Sequence, residues 1–292
     1  MLSQQELGQY FTSNKKLRSK VVEFVLNESN RILEPSVGQG DLIQEISEKK
    51  SNIEYDMYEI DRSIKLLEGV PENVIYKDFI KAKISRKYKT IIGNPPFVRT
   101  KKGNLYIDFI EKCYNLLENE GELVFIIPSD FFKLTSASKL LDNMLKEGTF
   151  THIYHPHKEN LFKNASIDVL IFRYCKDKSL SNEVLFNNEL LYVINNKGLV
   201  TFNAKENTSG VPFKEYFDIY VGIVSGRKNI YKNDVLGNIE VLNGDGKLER
   251  FIFIKKFPCE REEVNSYLLE NKKELISRKI RKFNEKNWFE WG

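Results

Sequence analysis

Thr90-Ile91-Ile92-Gly93-Asn94-Pro95-Pro96-Phe97 runs from an apolar, strand-forming stretch directly into a proline-stiffened turn that ends on an aromatic ring. The two prolines fix their own φ and restrict the residue before each of them, so the turn is rigid. The side-chain oxygen of Asn94 and the carbonyl of Pro95 are neighbouring acceptors, and together they could accept both N–H bonds of an amino group. Such a pair suits an exocyclic amine on a flat ring. That nitrogen shares its lone pair with the ring and must be activated without being deprotonated. Phe97 adds a face for stacking, a contact worth about 1–3 kcal/mol per base. Pro96 stiffens the loop between them, and rigidity counts because much of such a rate enhancement comes from holding reacting atoms at near-attack distance. The plainer reading is an Asn-Pro turn followed by a short extended linker. Its position directly after a strand favours the chemical one.

The pattern on either side alternates. Helical spacing over residues 15–27 (Leu17, Val21, Phe24, Val25) precedes the strand Arg31-Ile32-Leu33, which runs into Glu34-Pro35-Ser36-Val37-Gly38-Gln39-Gly40-Asp41. A helix continues from Leu42. A strand ends in Met57-Tyr58-Glu59-Ile60-Asp61, a helix is predicted over 63–68, and a short strand over 73–76 leads to Asp78-Phe79. Beyond Phe97 the reading is helix 105–117, strand 122–127, helix 136–145 and strand 168–174. Strand, helix, strand, repeated, predicts an α/β protein: a Rossmann-like fold with a mostly parallel central sheet covered on both faces. Right-handed crossovers then bring the carboxyl ends of the strands to one edge, where open α/β sheets bind ligands. Residues 34–40, Glu59, Asp78 and Asn94 would converge there although they lie far apart in sequence.

Gly38 and Gly40 allow a backbone turn to pass close under a ligand, although Gly-x-Gly alone usually marks a tight turn. Glu59, at the next strand end, resembles the acid that holds ribose hydroxyls in nucleotide sites. Asp78 could accept from an adenine amino group, with Ile60 and Phe79 as apolar walls. Each acid alone is more often a helix cap or a solvated loop residue; jointly they outline a pocket for an adenosyl group. A third glycine for pyrophosphate contact is missing, its position being taken by Ile43.

Hydrophobic content of 41% and charged content of 29% over 292 residues fit an ordinary globular protein with one large domain and part of a second. The lack of a long apolar run and of a basic-then-apolar start predicts a cytoplasmic protein without a membrane span. Cys113, Cys175 and Cys259 suggest neither a disulfide framework nor a thiolate metal site. Net charge is only +4, but basic residues cluster at Arg99, Lys101 and Lys102, and again at Arg278, Lys279, Arg281 and Lys282. Such groups either hold phosphates or form a solvated surface. His152, His155 and His157 lie close together, yet on a strand His152 and His155 face opposite sides, so no metal is expected. After a weak pattern over 184–193, residues 195–210 read as loop, 216–224 as strand, Asn243-Gly244-Asp245-Gly246 as a hairpin turn and 268–280 as helix.

On these motifs the chain resembles the S-adenosylmethionine-dependent DNA N6-adenine methyltransferases of restriction-modification systems, in the group whose target-recognition domain follows the catalytic motifs. The resemblance covers essentially the whole chain and is strongest through about residue 175. It implies a catalytic, S-adenosylmethionine-binding domain over 1–195, a linker over 196–211 and a partial target-recognition domain of α+β build over 212–292. Gly8 to Thr12 matches the segment that closes over the methionine end of the cofactor, implying contacts from Tyr10 and Thr12. Glu34, Pro35, Gly38 and Gly40 match the glycine-rich cofactor motif, Glu59 and Ile60 the ribose site, and Asp78 and Phe79 the adenine contact. Asn94, Pro95, Pro96 and Phe97 match the catalytic motif. Leu161-Phe162 resembles the segment whose ring packs on the flipped-out base, so Phe97 and Phe162 are expected to sandwich it.

Val37 and Gln39 replace the small residues that the glycine motif often carries. Residues 287–292 resemble the middle of a recognition domain in longer relatives, so sequence-specific DNA binding is expected to be incomplete. The implied partners are double-stranded DNA, with Arg99, Lys101 and Lys102 on its phosphates, and a cognate restriction endonuclease. Three other readings stay open: methylation of RNA adenine, methylation of a protein glutamine amide, and a DNA-binding specificity component with an impaired catalytic fold. The glutamine reading expects a helical region before the cofactor domain, for which the segment beginning almost at Met1 leaves no room.

Overall fold

The computed structural model of the protein describes residues 11–100, 103–158, 161–162, 167–206, 211, 215–218, 222 and 224–292. The chain divides into two compact units, Met1–Thr208 and Ser209–Gly292.

In the first unit, consecutive apolar residues of the central strands serve opposite faces of one sheet. Ile91 and Ile92, both fully buried, belong to separate clusters, as do Val124 and Phe125. A period of two with both faces apolar is what a sheet covered on both sides requires. The chain runs through α1 (Lys15–Phe24), β1 (Arg31–Glu34), α2 (Asp41–Ser47), β2 (Glu54–Glu59), β3 (Val74–Tyr76) and β4 (Tyr88–Gly93). A two-residue hairpin, β5 (Arg99–Thr100) and β6 (Gly103–Asn104), leads into α3 (Leu105–Leu116), β7 (Leu117–Pro128), α4 (Ser138–Glu147), β8 (Thr149–Tyr154) and β9 (Val169–Cys175). β10 (Glu183–Phe186), β11 (Glu189–Asn196) and β12 (Leu199–Asn203) complete a sheet of ten strands in the order β12-β11-β10-β8-β9-β7-β4-β1-β2-β3.

The neighbouring strands β3, β2, β1, β4 and β7 are parallel; β9 is antiparallel to both neighbours. α1 and α2 pack Leu17, Val21, Ile43 and Ile46 on one face, and α3 and α4 pack Ile110, Cys113, Leu141 and Met144 on the other. Each large side chain so buried contributes about 1.5–3 kcal/mol. Strand order reverses between β1 and β4, which makes their carboxyl ends the crevice where a ligand is expected. Gly93 permits the close approach there: a Cβ would lie 3.0 Å from the Phe125 ring and 3.4 Å from Pro35.

At the opposite end, Glu122 is fully buried and paired with Arg173 at 2.7 Å. It also accepts from Thr90 Oγ1 and from the backbone of Leu26 and Asn27, so each oxygen of this buried carboxylate receives two bonds.

Several expected elements differ. No helix forms at 63–68; Asp61 Oδ1 accepts from the backbone and hydroxyl of Ser63 instead, a local bond that competes with helix formation. The expected linker at 196–211 contains β12, which pairs with β11 throughout its length.

In the second unit, α5 (Lys228–Tyr231), the hairpin β13 (Ile239–Leu242) and β14 (Leu248–Phe251), α6 (Glu262–Glu270) and α7 (Lys272–Ile276) enclose Tyr231, Ile252, Leu268, Leu275 and Trp288. The expected turn at 243–246 joins β13 to β14, with Gly246 at φ +79°. The described residues 216–218, 222 and 224 form no strand. The helix expected over 268–280 begins earlier, breaks at Asn271 and stops at Ile276. Arg278 explains the stop. It is 5% exposed and donates to the carbonyls of Leu275, Ser225, Trp288 and Glu290. Arg281 donates to Glu290 and to the carbonyl of Trp291. Two of the four basic residues near the end therefore have structural tasks, and Arg278 offers nothing to a phosphate.

Candidate active site

Parallel pairing of β4, β1, β2 and β3 places Asn94, residues 34–40, Glu59 and Asp78 along one sheet edge. Gly38 and Gly40 take φ values of +55° and +87°. A Cβ on Gly40 would come within 2.7 Å of Val70, so both backbone conformation and space demand glycine there. Glu59 organises the turn. Its Oε2 accepts from Gly38 N at 2.9 Å and its Oε1 from Ile60 N and Asp61 N at 2.8 and 3.0 Å. Oε1 is thereby filled, while Oε2 retains one lone pair for a hydroxyl donor.

A cleft of about 440 Å³ opens beside this carboxylate, lined by Pro35, Glu59, Ile60, Asp78, Phe79 and Phe109 among others. Its size falls in the range of small-molecule pockets. Ile60 is 62% exposed, an apolar side chain left facing outward. Phe79 is buried and stacked on Phe109, ring centroids 5.4 Å apart. Burial favours a raised pKa at Asp78, but its hydrogen bonds and ion pair with Lys81 (2.8 Å) outweigh it and hold the carboxyl below its ordinary value.

Glu34 lies beneath the turn, 2% exposed, rather than on the cleft wall. Burial first, then the charges of Asp41 and Glu59, push its carboxyl well above the ordinary range. Among the described residues its Oε2 has no hydrogen-bond partner. Burial also raises Asp41, against the opposing effect of Arg18 at 3.2 Å.

Asn94 begins the loop after β4. Its Nδ2 donates to Thr12 Oγ1 at 3.0 Å, and its carbonyl accepts from Ser36 Oγ at 3.3 Å. Asn94 Oδ1 is shielded from solvent, and Asn94 is not among the residues lining the cleft; Ser36, which lines it, links the two. Pro95 is buried, Pro96 partly so. Phe97 stands edge-on to Tyr106 and to Phe162, with centroids 6.1 Å away in both cases. Phe97 and Phe162, expected to sandwich the base, thus lie side by side without being parallel. The planes meet at 77°, whereas a base between two rings needs parallel planes about 7 Å apart, two contacts of about 3.5 Å.

Arg99 is exposed on β5; Tyr10, Lys101 and Lys102 lie outside the described residues. The three histidines divide. His152 packs on Phe24, while His155 and His157 sit ring to ring at 3.9 Å, with His155 Nε2 against Asp168 at 2.8 Å.

Lys112 and Arg18 were missed in the sequence. Lys112 Nζ donates to the carbonyls of Phe79, Ile80 and Ala82 and sits over the Phe79 ring at 4.6 Å, pinning the cleft wall. A lone lysine between apolar helix positions 109, 110 and 113 was the available signal. Arg18 joins α1 to Asp41 and Glu45 of α2.

The family model described as Eco57I restriction-modification methylase matches residues 9–162. The type II methyltransferase M.HincII of Haemophilus influenzae is 31% identical over 204 residues, covering 62% of this chain and 39% of that relative. Ribosomal RNA small subunit methyltransferase A of Mesomycoplasma hyopneumoniae strain J is 30% identical over 153 residues, 48% of this chain and 58% of the relative. The cryo-electron microscopy structure of the DrdV–DNA complex superposes with a TM-score of 0.51 at 13% identity, covering 79% of this chain and 36% of that one, a likeness of fold. The chain thus spans 34–48% of the length of type II methyltransferases that it matches. With its cleft, glycine turn and Asn-Pro-Pro-Phe loop inside a match that covers more than half of its residues, the chain belongs to the Eco57I restriction-modification methylase family.

Proposed function

We propose that this chain is the catalytic part of a DNA methyltransferase that methylates the N6 amino group of an adenine flipped out of the duplex, with S-adenosylmethionine as methyl donor. The observation that carries it is the convergence, at the carboxyl ends of β1, β2 and β4, of an adenosyl-sized cleft and the Asn94 loop.

The residues fit the cofactor: Glu59 Oε2 keeps a lone pair for a ribose hydroxyl, Ile60 and Phe79 wall the cleft, Asp78 stands at its rim, and the glycine turn offers close backbone approach. S-adenosylmethionine, when bound, supplies the electrophilic methyl group that a weakly nucleophilic exocyclic amine needs. Asn94 Oδ1 and Pro95 O accept the two N–H bonds of the amine. As that nitrogen becomes cationic both bonds strengthen, so the pair stabilises the transition state more than the ground state. Phe97 supplies a stacking face for the base, which must leave the duplex because its amino group is unreachable while stacked. Arg99, with Lys101 and Lys102, is assigned to DNA phosphates. The second unit is assigned to target recognition, and a cognate restriction endonuclease is the expected partner.

The test is incubation of the chain with labelled S-adenosylmethionine and duplex DNA, RNA or protein, followed by mass spectrometry of the modified base or residue. N6-methyladenine in DNA is the expected product. The likeness to a ribosomal RNA methyltransferase makes RNA adenine the second reading, and label in RNA alone would select it. Label in a glutamine amide, or cofactor binding with no transfer at all, would overturn the proposal.

A further inference from the structure

Asn94 is held from two directions by residues remote in sequence. Ser36 Oγ donates to its carbonyl at 3.3 Å, and its amide Nδ2 donates to Thr12 Oγ1 at 3.0 Å. Thr12 is 4% exposed, so this contact is sheltered from competing water. The segment around Thr12 is anchored in turn. Asn14 caps α1 by accepting from Lys16 N and Leu17 N, and Arg18 of the same helix bonds Asp41 and Glu45 of α2. A chain of contacts therefore runs from the N-terminal segment to the side chain of Asn94.

An asparagine amide has two ends of nearly equal shape and opposite chemistry. Turned one way it offers an oxygen to an incoming amine; turned the other it sets N–H against N–H. A hydroxyl can meet either end. Meeting Nδ2, it uses one donor and leaves Oδ1 as the end that accepts.

We propose that Thr12 is a positioning residue for Asn94: its hydroxyl holds the amide in the sense that presents Oδ1 to the substrate amine. The inference rests on the methyl-transfer reading above and adds to Thr12 a task distinct from touching the cofactor. The amide is thereby ready before the substrate arrives, and its geometry depends on the N-terminal segment being seated.

The test has one arm that requires no turnover. In the full chain labelled with nitrogen-15, the side-chain amide pair of Asn94 is assigned by its loss in Asn94→Asp. Thr12→Val should shift that pair and speed its hydrogen exchange about ten-fold, the loss of about one hydrogen bond's worth of protection; Thr12→Ser should restore both. A pair unmoved by Thr12→Val means that the amide is turned the other way or held by other groups, and overturns the proposal.

The second arm is kinetic. Thr12→Val should lower kcat about 10- to 100-fold, as misplacing a reacting group does, while KM for S-adenosylmethionine stays within about three-fold. Thr12→Ser should recover most of kcat. A rise in cofactor KM equal to the fall in kcat assigns Thr12 to the cofactor alone, and a serine variant no better than valine denies the hydroxyl its role; either result rejects the proposal. If the unaltered chain methylates neither DNA nor RNA, the proposed function fails, and the amide signals still decide whether Thr12 holds Asn94.

Discussion

Phe162 meets Phe97 edge to face, centroids 6.1 Å apart and planes at 77°. The two rings fill each other's space, and Phe162 is 5% exposed. In the function proposed above, a base that stacks between them takes the place of this contact. Phe162→Ala should weaken binding of DNA carrying a fluorescent 2-aminopurine at the target position by about 5- to 150-fold, the loss of roughly 1–3 kcal/mol of stacking. Binding of S-adenosylmethionine by the same variant should be unchanged. Equal fluorescence in variant and parent would remove Phe162 from the base site.

Glu59 offers both oxygens to backbone N–H groups of Gly38, Ile60 and Asp61. Glutamine there keeps one oxygen but turns an NH2 group toward a backbone donor. Glu59→Gln should therefore be nearly as damaging as Glu59→Ala, each weakening S-adenosylmethionine binding about 10- to 100-fold, since bonds to a charged acceptor are worth about 1.5–3 kcal/mol. Calorimetric titration decides; full affinity in the glutamine variant would mean that the charge and the second oxygen are dispensable.

Gly40 and Gly69 both have positive φ, but a Cβ on Gly40 would meet Val70 at 2.7 Å while one on Gly69 would meet nothing. Alanine at either position carries the backbone strain of about 1–2 kcal/mol. At Gly40 it adds overpacking of about 1–3 kcal/mol. In urea unfolding Gly40→Ala should be the less stable variant, and Val70→Ala should partly rescue it. Additive losses in that double variant would show that the two side chains do not compete for space.

Glu34 makes a pH-dependent prediction. Its folded pKa lies above the unfolded one, chiefly through burial and then through Asp41 and Glu59. Between those two values the folded state binds more protons, so this group makes stability fall as pH rises from the ordinary carboxyl range toward its folded value. Glu34→Gln removes the effect. The variant should melt with the parent at about pH 4, near the unfolded carboxyl value. Above that range it should melt higher, each kcal/mol giving about 2–4 °C in a chain of this size. A constant offset across the pH range would argue against a titrating Glu34.

The fold was legible where local pattern and tertiary demand agree. Ile91 and Ile92 had to be apolar because both faces of β4 are covered, and the run of strand ends at Glu34, Glu59 and Asn94 followed from chain order alone. Residues 63–68 misled because helical composition there yields to a side-chain bond from Asp61. β12 was hidden because Thr201 and Asn203 look like loop residues, and only pairing with β11 reveals their use. In the site, Glu59, Asp78 and Asn94 could be named from their places at strand ends and Thr12 and Phe162 only from the family resemblance, but neither the Thr12–Asn94 bond nor the support of Phe79 by Lys112 could be read. Both depend on contacts between residues far apart in the chain, which carry no periodic signal.

The placement of β12 bears on any attempt to build chimaeras from this scaffold. A splice junction at residue 195 would cut β11 one residue before its end at Asn196 and discard the strand that covers its edge. The exposed ladder would then invite strand exchange between copies. A junction placed after Asn203 keeps the ten-stranded sheet whole and lets a foreign second unit be grafted without unravelling its host.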